Sequence, residues 1–263
     1  MRLYAEIAVR GFRRYSTYRA ATIAGALTNS AFGFIRGYVL LALFAVRPMV
    51  GGYGRSDALT YTFLTQGLLM ALYMWGWFEV SLTIRTGDVA TQLARPFDYQ
   101  GYWLAQDLGR AGYHLLARGI PPFLLAGLVW DLRLPRHSGT WLWFAVSVVL
   151  AVTVSFALRF LTNLSAFWLL EARGVAALAA AAWTVLSGFA IPIAFFPEGI
   201  GNLVRLLPFA AMVEFPVDVF LERARGVDLA ATLAAQAAWA AVLLGAGRLV
   251  LGAGVRKLVV QGG

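Results

Sequence analysis

The sequence predicts an all-α fold: a polytopic membrane protein with six transmembrane helices, an N-terminal amphipathic interfacial helix and a re-entrant segment before the last helix. Three observations carry this expectation. The chain has 263 residues, 60% of them hydrophobic and only 13% charged, against about 25% charged in an ordinary soluble domain. Uncharged apolar runs occupy 58–78, 138–158 and 174–197, with a nearly complete one at 229–247; roughly 20 residues suffice to cross a hydrocarbon core of about 30 Å. Two further stretches, 20–46 and 111–130, are apolar apart from Arg36 in the first and His114, Arg118 and a Pro121–Pro122 pair in the second. Such a chain cannot cover a water-facing surface, which excludes a typical soluble enzyme, and it holds too much apolar mass for disorder. With no cysteine, disulfides and thiolate chemistry are excluded as well.

Taken in order, residues 1–19 carry Arg2, Arg10, Arg13, Arg14 and Arg19 among Leu3, Tyr4, Ile7, Phe12 and Tyr15. That is too charged to span, but its apolar residues recur near helical spacing, as in a helix lying in the membrane interface. A signal peptide competes for the same segment. The apolar stretch that follows is longer than the 7–15 residues of a signal-peptide core, so the interfacial helix is preferred. Spans are then expected near 20–46, 58–80, 108–130, 139–163, 174–196 and 229–253, within a single transmembrane domain covering 1–263. Proline is tolerated inside such helices where neighbours satisfy the freed carbonyls.

The net charge of +9 comes from 22 basic residues against 13 acidic ones. In a soluble domain this would suggest nucleic acid; in a membrane protein it reports topology. With the N-terminal arginines inside, Arg85, Arg95, Arg110, Arg159, Arg173 and the basic C-terminal end fall on the same side. Arg47, Arg55, Arg133, Arg136, Arg205, Arg223 and Arg225 fall on the other. Both termini are therefore expected in the cytosol of a multi-pass membrane protein, with no nucleic-acid partner.

Two connections stand out. The inner one, 83–107, reads TIRTGDVATQLARPFDYQGYWLAQD. Gly87–Asp88 looks like a turn and cap, and VATQLA like a short helix stopped before Pro96. It is either a docking element for a soluble partner or a plain connector. The outer one, 197–228, opens at Pro197 and contains an apolar stretch at 200–212, with Pro208 and Pro216 dividing the segment into short helical pieces. Its length is that of a re-entrant or interfacial piece, and both readings stay open. Charges inside spans are functional suspects by default: Arg36 is placed to snorkel outward, and Arg118, four residues after His114, to line a polar cavity or to pack. Asn163 and Gln236 are placed to hydrogen-bond between helices, and the tryptophans and tyrosines to form interfacial belts.

Enzyme motifs are missing: there is no HExxH, no GxSxG and no GxxxxGK[ST]. His114 and His137 are too few and too far apart for a metal site. No carboxylate lies at the centre of an expected span, which argues against proton- or sodium-coupled transport.

Four features, namely RRYSTYRAATIAG entering the first span, IRTGDVATQLARPFDYQGY after the second, the FFPEGIGNLVRLLPFAAMVEFPVDVFLE series before the last, and the six expected spans, together resemble a type-2 ABC exporter permease. The likeness is to a bacterial six-helix ABC permease family long classed as uncharacterised, and it covers nearly the whole chain. It implies a non-catalytic subunit that pairs with a second permease, identical or homologous, within membrane lipid. Two cytosolic nucleotide-binding ATPase subunits would bind ATP and magnesium, and this chain no cofactor. On the same resemblance Arg13, Arg14 and Tyr18 belong to the elbow helix and its turn. Arg85, Gly87, Asp88, Leu93, Arg95 and Pro96 belong to the ATPase-coupling loop, and Pro197, Pro208 and Pro216 to an outer gate. Related permeases export lipids, polysaccharides, drugs or antibiotics. The interfacial placement of the aromatics favours a hydrophobic or amphiphilic small molecule or lipid. The alternative is a channel or scaffold unrelated to ABC exporters.

Overall fold

Helix α1 (Arg2–Ser16) does not lie free. Its buried residues Ile7 and Gly11 pack onto α6 (Tyr99–His114). The computed structural model, which describes residues 2–73, 75–169 and 173–257, shows why glycine is needed there. A Cβ on Gly109 would stand 1.9 Å from the Ala8 carbonyl oxygen, and one on Gly11 would stand 2.6 Å from that of Gln106. Close backbone approach of this kind is the usual use of small residues between membrane helices. Phe12 meets Tyr113 edge to face at 5.3 Å, and the Asp98 backbone N–H donates to the Tyr4 hydroxyl at 3.2 Å.

Helix α2 (Arg19–Val46) runs antiparallel to α3 (Arg55–Leu72), Gly33 facing Phe63 and Gly37 facing Leu59. Short helices α4 (Glu79–Thr86) and α5 (Asp88–Leu93) follow. Helix α6 continues through a π-helical segment, Leu115–Gly119, into α7 (Ile120–Val129). The wider turn sits immediately before Pro121 and Pro122, which lack the N–H that an α-helical ladder needs. After α8 (Ser138–Leu164) and a 3₁₀ turn come α9 (Arg173–Leu186), α10 (Glu198–Arg205), α11 (Glu214–Phe220) and α12 (Val227–Val255). Helices α8 and α12 run parallel. Ser147 bonds Gln236 at 2.8 Å, Phe160 packs on Gly247 and Phe167 on Gly254. Gln236 also donates to the Ala211 carbonyl at 2.8 Å, and Asn163 bridges to the Trp77 carbonyl and the Ser81 N–H.

Two expectations need correction. Among the described residues three helical stretches, not six, are long and apolar enough to cross a membrane: Arg19–Val46, Ser138–Phe167 and Val227–Val255. The run near 58–80 ends at Leu72, where Tyr73 turns left-handed at φ 51°, and Met74 lies outside the described residues. Its helix is a core element carrying buried Thr60, Thr62, Thr65 and Gln66. The run near 108–130 is divided by the π segment, and that near 174–196 becomes a 14-residue helix. Nor is a re-entrant segment identified in 197–228. Of its apolar residues, Ala210, Ala211, Met212, Val213, Val217 and Leu221 are fully enclosed by protein and fill the core, whereas Ile200, Leu203 and Leu206 are exposed.

The apolar residues divide into a large core around α3, α8 and α11 and a smaller one of Trp77, Val80, Ile84, Val89, Tyr99, Trp103, Phe156, Phe160 and Leu164. Trp77, Tyr99 and Trp103, expected in an interfacial belt, are core residues.

Gly109→Leu should force α1 from α6. Thermal unfolding of the purified protein is expected to show a loss of about 1–3 kcal/mol, the usual cost of overpacking. Trypsin should cut faster at Arg10 and Arg13, and an unchanged melting profile would refute the packing.

Candidate functional site

Three charged side chains meet inside the helix assembly, from parts of the chain that the sequence reading treated as loop or span ends. Asp107, Arg110 and Arg159 are each 2–3% exposed. Arg110 Nε donates to Asp107 Oδ1 at 2.8 Å; Arg159 donates from Nη1 to Oδ1 at 3.2 Å and from Nη2 to Oδ2 at 2.7 Å. The remaining Arg110 nitrogens donate to the Met70 and Ala71 carbonyls at 2.6 and 2.7 Å. The Ser155 hydroxyl donates to Leu72, and the Tyr73 N–H to Leu69. All four carbonyls at the end of α3 are thereby bonded, which a helix ending in a dry interior requires. The two cations also complement the negative end of its dipole. Beneath them lie aromatic faces: Tyr73 at 4.6 Å from Arg110, and Trp77 at 5.1 Å from Arg159. The available signals were the i,i+3 spacing of Asp107 and Arg110 at the edge of one apolar run, and Arg159 at the edge of another.

Trp77 connects this cluster to the α4–α5 pair through the smaller core. Gly87, at φ 82°, closes α4 and opens α5, a backbone conformation that glycine adopts without penalty. Val80, Ile84 and Val89 are buried beneath, while Arg85, Asp88, Arg95 and Pro96 are exposed above and Leu93 is half-buried. Asp88 Oδ2 accepts the Thr86 hydroxyl at 2.7 Å. The outcome is a rigid, exposed knuckle. Arg14 ties α1 to it through Glu79 at 3.4 Å; Arg13 and Tyr18 are exposed on the same end of the molecule.

Arg36 and Arg118 do not share a site. Arg36 donates to the Phe189 and Ala190 carbonyls at 2.7 and 3.2 Å, holding the turn after α9. Arg118 donates to the Ala21 carbonyl at 2.8 Å and lies where a Cβ on Gly25 would fall.

The other end is cross-linked by ion pairs. Pro197 precedes α10, Pro208 lies between α10 and α11, and Pro216 is in the first turn of α11, where its missing N–H costs nothing. Arg205 joins Glu214 at 3.2 Å and Asp218 at 3.0 Å. The Tyr61 hydroxyl lies 2.6 Å from the Gly188 carbonyl and 2.7 Å from Glu214 Oε2, yet has one proton to give. A protonated Glu214 donating to Tyr61 satisfies both contacts. Burial, then the nearby Asp218 carboxylate, push the Glu214 carboxyl up to about 7. Glu222, at φ 55°, receives the Arg136 and His137 N–H groups and the Thr140 hydroxyl, capping the start of α8. Burial opposes its ionisation, but hydrogen bonds from His137 and Thr140 outweigh this and lower the carboxyl to about 2. No group of residues that could hold a metal occurs among the described residues.

One family model, that of the ABC-2 family transporter protein, matches residues 33–262, and the chain belongs to that family. The matched stretch contains the buried triad, the knuckle and the cross-linked end, but not α1. No curated protein and no solved structure matches the chain.

Asp107→Asn would leave two buried guanidiniums short of a counter-charge. A loss of about 3–5 kcal/mol is expected in denaturant unfolding. At Glu214 the folded chain holds the proton more tightly than the unfolded one, whose carboxyl titrates near ~4.3. Stability should therefore fall as pH rises from about there to about 7. Glu214→Gln should flatten that fall in melting curves at pH 5 and 8.

Proposed function

We propose that this member of the ABC-2 family of transporter proteins is the permease subunit of an ATP-driven exporter. It would work as a pair, identical or homologous, in the bacterial cytoplasmic membrane with both termini in the cytosol. Two separate ATPase subunits would supply the energy, and a hydrophobic or amphiphilic small molecule or lipid would be carried outward. The observation that carries this reading is the α4–Gly87–α5 knuckle. Its upper face of Arg85, Asp88, Arg95 and Pro96 is exposed, and its lower face is fixed in an aromatic core.

A surface loop that only joins two helices needs no such foundation. A docking element does, because force applied to it must reach the rest of the molecule. From the knuckle one route passes through Asn163, which bonds the Trp77 carbonyl and the Ser81 N–H, to α8. A second passes from Trp77 to Arg159, Asp107 and Arg110, and so to the end of α3. Nucleotide state on the partner would bias these elements between two arrangements, a population shift set by differential binding. No covalent step falls to this chain, whose sequence contains no nucleotide-binding GxxxxGK[ST] motif.

Co-purification with a P-loop ATPase, whose hydrolysis rises when the permease is present, is the expected result. Asp88→Arg or Arg95→Glu should reduce that stimulation and substrate export at least several-fold while insertion and melting temperature stay unchanged. Absence of any associated ATPase, together with ion conductance in proteoliposomes, would replace the exporter by a channel.

A further inference from the structure

At the end of the molecule where α8 and α12 begin, the chain forms an open cleft of about 640 Å³, within the ~300–1,000 Å³ range of small-ligand sites. It has no part in the coupling route, and the inference drawn from it stands independently of the exporter reading.

Two of its arginines are each held by two protein acceptors. Arg205 is held by Glu214 and Asp218, and Arg223 donates to the Gly52 and Gly51 carbonyls at 2.9 and 3.3 Å. The other two each have a single one. Arg133 gives one nitrogen to Asp57 at 2.7 Å and Arg225 gives one to Glu222 at 2.9 Å. Their side chains are 33% and 56% exposed, and a guanidinium has five N–H donors. Both therefore keep donors for an anion. Acceptors are present too. Asp228, exposed in the first turn of α12, has no side-chain hydrogen bond or ion pair among the described residues. Asp218 is 7% exposed, and its Oδ1 has no hydrogen-bond partner among the described residues, with Arg223 Nε 3.4 Å away.

A simple anion in this cleft would face Asp218, Glu222 and Asp228; a simple cation would face the arginines. A ligand carrying both signs meets neither objection. The cleft is also amphiphilic. An adjoining cavity of about 280 Å³, lined by Trp143, Val219 and Leu229, shares Glu222, Ala224 and Arg225 with it. Around its rim Trp141, Trp143 and Val227 are exposed at the starts of two helices long enough to cross a membrane, the level at which tryptophan meets lipid head groups.

We propose that this cleft binds a zwitterionic head group bearing a phosphate and a primary amine, as in phosphatidylethanolamine. Arg133 and Arg225 hold the phosphate by charge-assisted hydrogen bonds. Asp228 holds the amine, with Asp218 Oδ1 as the acceptor deeper in the cleft. The adjoining apolar cavity takes the first part of an acyl chain.

Native mass spectrometry of the purified full chain in nanodiscs tests this without any ATPase, so its result is separate from that of the coupling assay. Nanodiscs containing equal parts of phosphatidylethanolamine, phosphatidylglycerol and phosphatidylcholine should leave phosphatidylethanolamine retained at least tenfold over the other two. Soluble glycerophosphoethanolamine should displace it, showing that the head group is what is recognised. Asp228→Asn and Arg225→Gln, both at exposed positions, should each reduce retention about tenfold with no change in melting temperature, while Asp88→Asn at the opposite end should not. Equal retention of phosphatidylglycerol would overturn the zwitterion assignment, and equal retention of phosphatidylcholine the amine contact. Retention that glycerophosphoethanolamine cannot displace, or that survives Asp228→Asn, would overturn the site.

Discussion

The pairing of Asp107 with Arg110 and Arg159 is the interaction on which the arrangement of α3, α6 and α8 rests. Helix α3 stops at Leu72 inside the helix assembly, and a helix end in a dry interior needs a partner for each final carbonyl. Arg110 supplies two of those partners, but a guanidinium placed there must itself be neutralised. Asp107, one turn earlier on α6, does so only in part because it also accepts two bonds from Arg159 of α8. The cluster therefore fixes three elements relative to one another. Ion pairs of this kind are poor sources of net stability compared with apolar packing. Their effect is to make one register of the three helices far better than its neighbours.

The two ends of the molecule use charge differently. Near α1 the charged residues that matter most are dry, carry one excess positive charge and sit beneath an exposed knuckle. At the other end Asp218, Glu222 and Asp228 are interleaved with four arginines, and the pairs open onto a cleft. Glu222 illustrates the contrast. It adopts a left-handed backbone conformation that a non-glycine residue seldom takes, and in return its carboxylate bonds two backbone N–H groups and a hydroxyl at the start of a 27-residue helix. Backbone strain, a helix cap and the wall of a cavity coincide in one residue, which is the pattern expected where structure is specified for binding.

Much of this was legible in the sequence. Composition and apolar runs identify a membrane protein of helices, and Gly87–Asp88 marks the α4–α5 junction. Asn163 and Gln236 were correctly read as bonding between helices. The failures share a cause: hydropathy reports what a segment is made of, not what surrounds it. The threonines of 58–72 and the alanines of 210–211 look alike to a lipid-transfer scale whether they face lipid or protein. The same blindness hid the triad. Arg110 and Arg159 stand at the edges of apolar runs, where a basic residue ordinarily marks the membrane boundary, and nothing local says that Asp107 turns both inward. The cleft was illegible for a different reason, since Arg133 and the arginines of 197–228 come from separate stretches that only the fold brings together.

The use of arginine within the apolar region follows from the same backbone constraint. Arg110 reaches the carbonyls of Met70 and Ala71, and Arg36 those of Phe189 and Ala190. In each case a helix or turn ends beside a guanidinium that bonds two successive carbonyls at once. A lysine offers a strongly hydrated point charge, whereas the planar fork presents parallel donors and is easier to remove from water. Breaks in helices are where a membrane protein can bend, and each break exposes carbonyls that the bilayer cannot satisfy. By supplying those bonds from side chains, the chain can end α3 short of a full crossing with its end buried, and hold the turn that follows α9. Its shorter helices are thus made possible by the charges that hydropathy alone would count against them.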